Sequence, residues 1–71
     1  MKKYYTISIF YVEPEDWFYI PIEIEVEPNK ILCDKDIITH AINTDLMETD
    51  EANHVDCVEE ITEERYKELI S

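Results

Sequence analysis

Between residues 19 and 28 the chain reads YIPIEIEVEP, with Ile20, Ile22, Ile24 and Val26 at every second position and Glu23, Glu25 and Glu27 between them. A period of two marks a half-buried β-strand. The earlier stretch KYYTISIFYV, residues 3–12, alternates in the same way. Tyr5, Ile7, Ile9 and Tyr11 fall on one face, and Tyr4, Thr6, Ser8 and Phe10 on the other. Its β-branched and aromatic side chains suit a pleated surface. EPEDW, residues 13–17, reads as a turn built on Pro14 and Asp16. The second strand is expected over 18–27, ended by Pro28-Asn29.

The two apolar rows must share a face, so odd positions of the first strand oppose even positions of the second. One register that does this pairs Ile9 with Ile22 and Ile7 with Ile24, leaving Pro14 to Trp17 as the loop. Ser8 then meets Glu23, Thr6 meets Glu25, and the glutamates face no base. A slide by two residues satisfies the same rule.

The period changes after residue 33. Ile37, Ile38, Ala41, Ile42 and Leu46 form a helical stripe over residues 34–47, with Asp34 as candidate N-cap and Asp36 in the first turn. ETDEAN, residues 48–53, reads as a loop, and residues 54–60 as a third strand with Val55 and Cys57 inward. A last helix spans 62–70. Thr62 is its N-cap, Ile61 and Tyr66 are spaced for a hydrophobic staple, and Tyr66, Leu69 and Ile70 form its apolar side. The order ββαβα predicts a single α+β domain, a small antiparallel sheet of about three strands with two helices packed on it.

Composition sharpens this picture. At 71 residues the core is small, and a chain of this size buries only about 60% of its unfolded surface. Glycine is absent, so turns and helix ends have to use Asn, Asp and Pro. The formal net charge is −12. It is uneven: residues 1–33 hold six acids against three lysines, residues 34–71 twelve acids against three bases. Such a chain repels phosphate backbones and anionic membranes, so direct nucleic-acid or membrane binding is not expected, whereas basic surfaces attract it. No secretory signal is visible, and no run approaches the ~20 apolar residues of a membrane span. A cytoplasmic protein with Cys33 and Cys57 as free thiols is therefore expected.

Candidate chemistry is thin. Cys33 with His40 and His54 with Cys57 invite a zinc reading, but the first pair lacks the usual ligand spacing. The plainer reading makes both cysteines small core residues, with no metal and no cofactor. A Cys57–His54 nucleophilic pair would lack a glycine-lined turn or an evident oxyanion pocket, and so small a domain has little room for a ligand pocket of ~300 Å³ or more. No catalytic residue is assigned and no enzyme activity is expected.

The acids and aromatics carry more. Glu23, Glu25 and Glu27 repeat every ~6.7 Å along one strand. Asp50, Glu51, Glu59 and Glu60 stand out among the acids of the second half. Tyr4, Phe10, Trp17 and Tyr19 fall on the same sheet face as the glutamates or at its turn. Aromatic anchors ringed by acids are what a contact surface for a basic protein needs. The alternatives are a solvated face kept soluble by its charge and a second core covered by the last helix.

At the level of class the chain resembles the small acidic proteins that bacteriophages encode to disable host defences: DNA mimics, restriction inhibitors and anti-CRISPR proteins. The likeness rests on size, charge, the aromatic-rich MKKYYTISIFYV and the terminal EEITEERYKEL. It covers the whole chain loosely, has no diagnostic motif and transfers no functional residue. It implies a non-enzymatic inhibitor, acting in the host cytoplasm, that occupies a basic, nucleic-acid-binding surface of a host protein. A structural or regulatory interaction module, or a homodimer joined through a sheet edge or the aromatic face, is the alternative. A small metal-binding domain comes third.

Overall fold

The computed structural model describes residues 1–71. Strand β1 (Lys2–Tyr11) leads to β2 (Asp16–Glu25), helix α1 (Asp34–Asn43), a 3-10 turn (Glu51–His54), β3 (Val55–Ile61) and helix α2 (Glu63–Ile70). This is the expected α+β domain in the expected order. The strands form one antiparallel sheet, β2-β1-β3, with β1 in the centre.

The two faces of the sheet differ as the alternation requires. Tyr5, Ile7, Ile9, Ile22 and Ile24 point to one face and bury themselves against Ile37 and Ala41 of α1, with Val26 and Met47 closing the cluster. Ile7, Ile9 and Ile22 are fully buried. The other face receives α2, whose Tyr66 ring lies 5.0 Å from that of Tyr4. The helices thus sit on opposite faces, and α2 is too short to cover all of its own.

The hairpin register differs from the expected one. Ile9 faces Phe18, Ile7 faces Ile20 and Tyr5 faces Ile22, so the loop is Val12–Glu15 and Trp17 belongs to the strand. Relative to the expected pairing, β2 is displaced by four residues, since Ile9 meets position 18 in place of 22. Parity was fixed by the apolar rows, but offset was not. The displacement pairs Phe10 with Trp17 and places Lys2 opposite Glu25.

β3 departs from simple alternation. Ser8 faces Cys57, yet Ile9 faces Val55, so Asp56 is an extra residue bulged out of the ladder. The bulge lets Val55 and Val58 both pack against the core, while Cys57 is exposed. Cys33 is exposed as well, which corrects the reading of both cysteines as core residues.

Cys33, not Asp34, is the N-cap of α1, and Asp36 Oδ2 accepts from both the Cys33 amide and its thiol at 3.3 Å. Those bonds, the thiol's first, hold the Asp36 carboxyl below its ordinary 3.8. The helix ends before Leu46. Asp45 takes φ 61°, the left-handed conformation glycine usually supplies. The Asp45 amide donates to the Ile42 carbonyl at 3.1 Å and the Leu46 amide to that of Ala41 at 2.9 Å, which satisfies the carbonyls left free at the helix end. The reversal leaves Leu46 half exposed and buries Met47 in its stead. α2 starts as expected, the Arg65 amide donating to Thr62 Oγ1 at 3.1 Å.

Candidate functional site

The ten-residue strands separate two ends of the sheet by roughly 30 Å. At one end lie Met1, Lys2, Lys3, Glu23 and Glu25. The Met1 ammonium is 2.9 Å from Glu25 Oε1, and Lys2 Nζ is 3.0 Å from Glu23 Oε1. Glu23 raises the Lys2 ammonium above its ordinary range, first through this hydrogen bond and then through its charge. The expectation that these glutamates face no base is therefore corrected. Glu27 lies exposed beyond the end of β2.

The hairpin end is different. Phe10 and Trp17 are direct cross-strand neighbours, and the Trp17 ring lies 5.4 Å from that of Tyr19. Trp17 is 56% exposed, Tyr19 52% and Phe10 37%. Phe10 and Trp17 occupy the part of the second face that α2 leaves open, and Tyr19 stands at its border, where it also lines a cleft with Arg65 and Leu69 of α2. Beside them Phe10, Trp17, Glu15 and Asp56 line an open depression of 350 Å³. It exceeds the pocket size expected of so small a domain, but it is a surface hollow and not an enclosed site.

Further acids gather behind the same end. Tyr11, on the core face, is pushed above its ordinary range by burial and then by the charges of Glu51, Asp50, Glu48 and Asp16. The His54 ring packs against that of Tyr11, tilted by 41° with ring centres 4.4 Å apart. No Lys or Arg lines the depression, and Arg65 comes no nearer in these linings than the neighbouring cleft that it shares with Tyr19. Lys2 and Lys3 lie at the far end of β1, and Lys30 and Lys35 act on Asp36 at the start of α1. Arg65 and Lys67 pair within α2 with Glu68 at 3.2 Å and Glu63 at 3.3 Å. At physiological ionic strength a charge is screened over ~8 Å, so the bases of the far end do not neutralise the hairpin acids.

The expected contact residues are thus divided. Phe10, Trp17 and Tyr19 come together, with Asp50 and Glu51 on the opposite side of the same end. Tyr4 is half buried beneath Tyr66 of α2. Glu59 lines a smaller cleft of 190 Å³ under α2 beside Arg65, and Glu60 faces the other way, opposite Tyr5. Glu15 and Asp56 are not among the contact residues expected from the sequence. Glu15 is a loop acid like its neighbours, and Asp56 is placed by a bulge that composition does not announce.

Cys57 and His54, the nucleophilic pair considered from the sequence, lie on different faces of the sheet. Cys57 Sγ donates to Ser8 Oγ at 3.5 Å on the aromatic face, whereas His54 packs on Tyr11 on the core face. No three His, Cys, Asp or Glu side chains converge as a metal ion would require. No helix is long and apolar enough to cross a membrane. Compared with family models, curated proteins and solved structures, the chain matches none of them.

Proposed function

We propose that this protein is a non-enzymatic inhibitor that binds, through the hairpin end of its sheet, a basic and nucleic-acid-binding surface of a host protein, in the manner of the phage inhibitors it resembles. One observation carries the reading: three exposed aromatic rings share one end of the sheet with Glu15 and Asp56, carboxylates that enter none of the chain's ion pairs. Aromatic rings at an interface supply apolar contact, and unpaired charges steer a partner of opposite sign. The acids also repel one another, a cost a 71-residue domain bears poorly unless a basic partner relieves it.

A second copy of the chain is a poorer partner. It would bring −12 against −12. Both sheet edges also discourage pairing, since Pro21 interrupts β2 and the Asp56 bulge distorts β3.

Displacement tests the proposal. A host protein captured on this chain should be released by rising salt and by a short DNA or RNA duplex. A partner held equally at low and high salt, or binding its nucleic acid at undiminished affinity while the inhibitor is attached, would overturn it.

A further inference from the structure

We infer that the depression between Phe10, Trp17, Glu15 and Asp56 is a socket for one arginine side chain of the partner. This deepens the reading above, because it names the group that the hairpin end grips. It also rests on that reading for the existence of a basic partner.

The walls come from all three strands. Phe10 stands in central β1, its cross-strand neighbour Trp17 in β2, Glu15 in the loop that opens β2, and Asp56 at the bulge of β3. One carboxylate therefore approaches from each side of β1, with the aromatic rings between them. The bulge matters here. Without it Asp56 would be a regular ladder position, alternating with its neighbours, and Val55 could not turn to the core beside Val58. Tyr19, packed on Trp17 at 45°, restricts the indole before any ligand arrives.

The charge of the socket is unspent. The four ion pairs of the molecule use Glu25, Glu23, Glu68 and Glu63. Neither Glu15 nor Asp56 takes part, and neither carboxylate accepts a hydrogen bond from a side chain. The smaller cleft under α2 offers no such vacancy, because Arg65 of the chain itself already lines it beside Glu59.

Arginine fits this chemistry better than other cations. Its guanidinium has flat faces that stack on an indole and five N–H donors around its edge that reach carboxylates in the same plane. It is weakly hydrated, so little is lost when it leaves water for an aromatic wall. A lysine ammonium is a compact, strongly hydrated charge with no flat face to lay on the indole, so it loses more on leaving water and gains less from the aromatic wall. Tryptophan is the best of the aromatic partners for a cation. Arginine is also the residue that nucleic-acid-binding surfaces use most for phosphate and guanine contacts.

The chain has a single tryptophan, so its emission reports on the socket directly. The probes are N-acetyl-arginine methylamide and its lysine and citrulline counterparts, titrated into the intact protein while Trp17 fluorescence and amide resonances are followed. The arginine amide should shift Trp17 emission and move the resonances of residues 10, 15, 17 and 56. It should bind severalfold more tightly than the lysine amide, and the neutral citrulline amide should leave the signals unmoved. Glu15→Gln with Asp56→Asn should weaken the arginine response by about tenfold, the loss of charge-assisted contacts, with the circular dichroism unchanged. Glu23→Gln with Glu25→Gln should leave it intact. Equal response to arginine and lysine, insensitivity to the Glu15 and Asp56 changes, or shifts that map to another acidic stretch would overturn the socket. None of those results would touch the broader reading, which falls only if partner binding proves indifferent to salt and to nucleic acid.

Discussion

Lys2 Nζ lies 3.0 Å from Glu23 Oε1 across the first two strands. The pair binds the open end of the hairpin and withdraws from recognition a glutamate that the alternating pattern presents as free. Both side chains keep contact with water, so the pair should add little to stability. Glu23→Gln should lower Tm by no more than a few degrees, and the gap should narrow at 1 M salt, where the screening length is ~3 Å. The sign of the pH effect follows from Lys2. Its folded value is raised, so the contribution is whole below its ordinary 10.5 and is lost as pH rises through the raised value. Thermal melts of both proteins from neutral pH upward check this; a gap that persists unchanged once Lys2 has lost its proton would mean that another group is responsible.

The start of α1 gives a prediction of opposite sign. Asp36 receives the Cys33 amide and thiol, and its carboxyl titrates below 3.8 in the folded chain. Its contribution is complete above that ordinary value and fades as pH falls through the lowered one. Asp36→Asn should therefore melt a few degrees below the parent at neutral pH, and the two should converge in strong acid. Parallel melting curves across the acid range would show that the carboxylate is not what holds the helix start.

Much of this fold is legible in the sequence, for definable reasons. Alternation identifies a strand and its buried face, so β1, β2 and the core isoleucines follow from the apolar rows alone. Alternation is blind to offset, because a slide by two residues keeps every side chain on its face. That is why Glu23 and Glu25 seem to oppose Ser8 and Thr6, when the pairing that forms brings them to Tyr4 and Lys2. The bulge at Asp56 and the left-handed Asp45 each break a period locally. The first turns Cys57 outward, and the second exchanges Leu46 for Met47 in the core. The acidic character of the site is plain from composition, but its location depends on which acids find bases, and that requires the register.

Helix α2 depends on its cap. Thr62 Oγ1 accepts from the Arg65 amide, and no residue of the helix is fully buried. Thr62→Ala should cost about 1 kcal/mol. In a domain of this size that lowers Tm by about 4–8 °C. Hydrogen exchange should accelerate in α2 first, while the amides of β1 keep their protection. Uniform loss of protection across the sheet would mean that α2 is part of the cooperative core.

Neither thiol is enclosed. Cys33 and Cys57 are both exposed. A disulfide-exchange reagent should titrate both in native buffer, at rates close to those in denaturant. A strong chelator should leave circular dichroism and Tm unchanged, because the core of isoleucine, tyrosine and valine does not draw on His or Cys. Stoichiometric zinc in the purified protein, with unfolding on its removal, would restore the metal-binding alternative.

The two ends of the sheet make separable contributions to binding. Three glutamates, Glu23, Glu25 and Glu27, can be changed to glutamine at the compensated end. Glu13→Gln, Glu15→Gln and Asp56→Asn make the matching triple at the hairpin end. Each triple removes the same formal charge, so a partner attracted only by net charge would lose equal affinity for both. The hairpin triple should weaken a captured basic partner about tenfold or more and flatten the salt dependence, because two of its acids, Glu15 and Asp56, lie beside the aromatic anchors Phe10 and Trp17. The other triple should weaken binding only slightly, since two of its three acids are held by Met1 and Lys2. Stability should move the other way: the hairpin triple relieves repulsion and should keep or raise Tm, whereas the loss of two ion pairs should lower it slightly. Titration calorimetry and thermal melts on both variants decide the matter. Equal losses would make the charge a diffuse attraction, and a larger loss from the glutamate row would return the contact surface to the end where Lys2 meets Glu23.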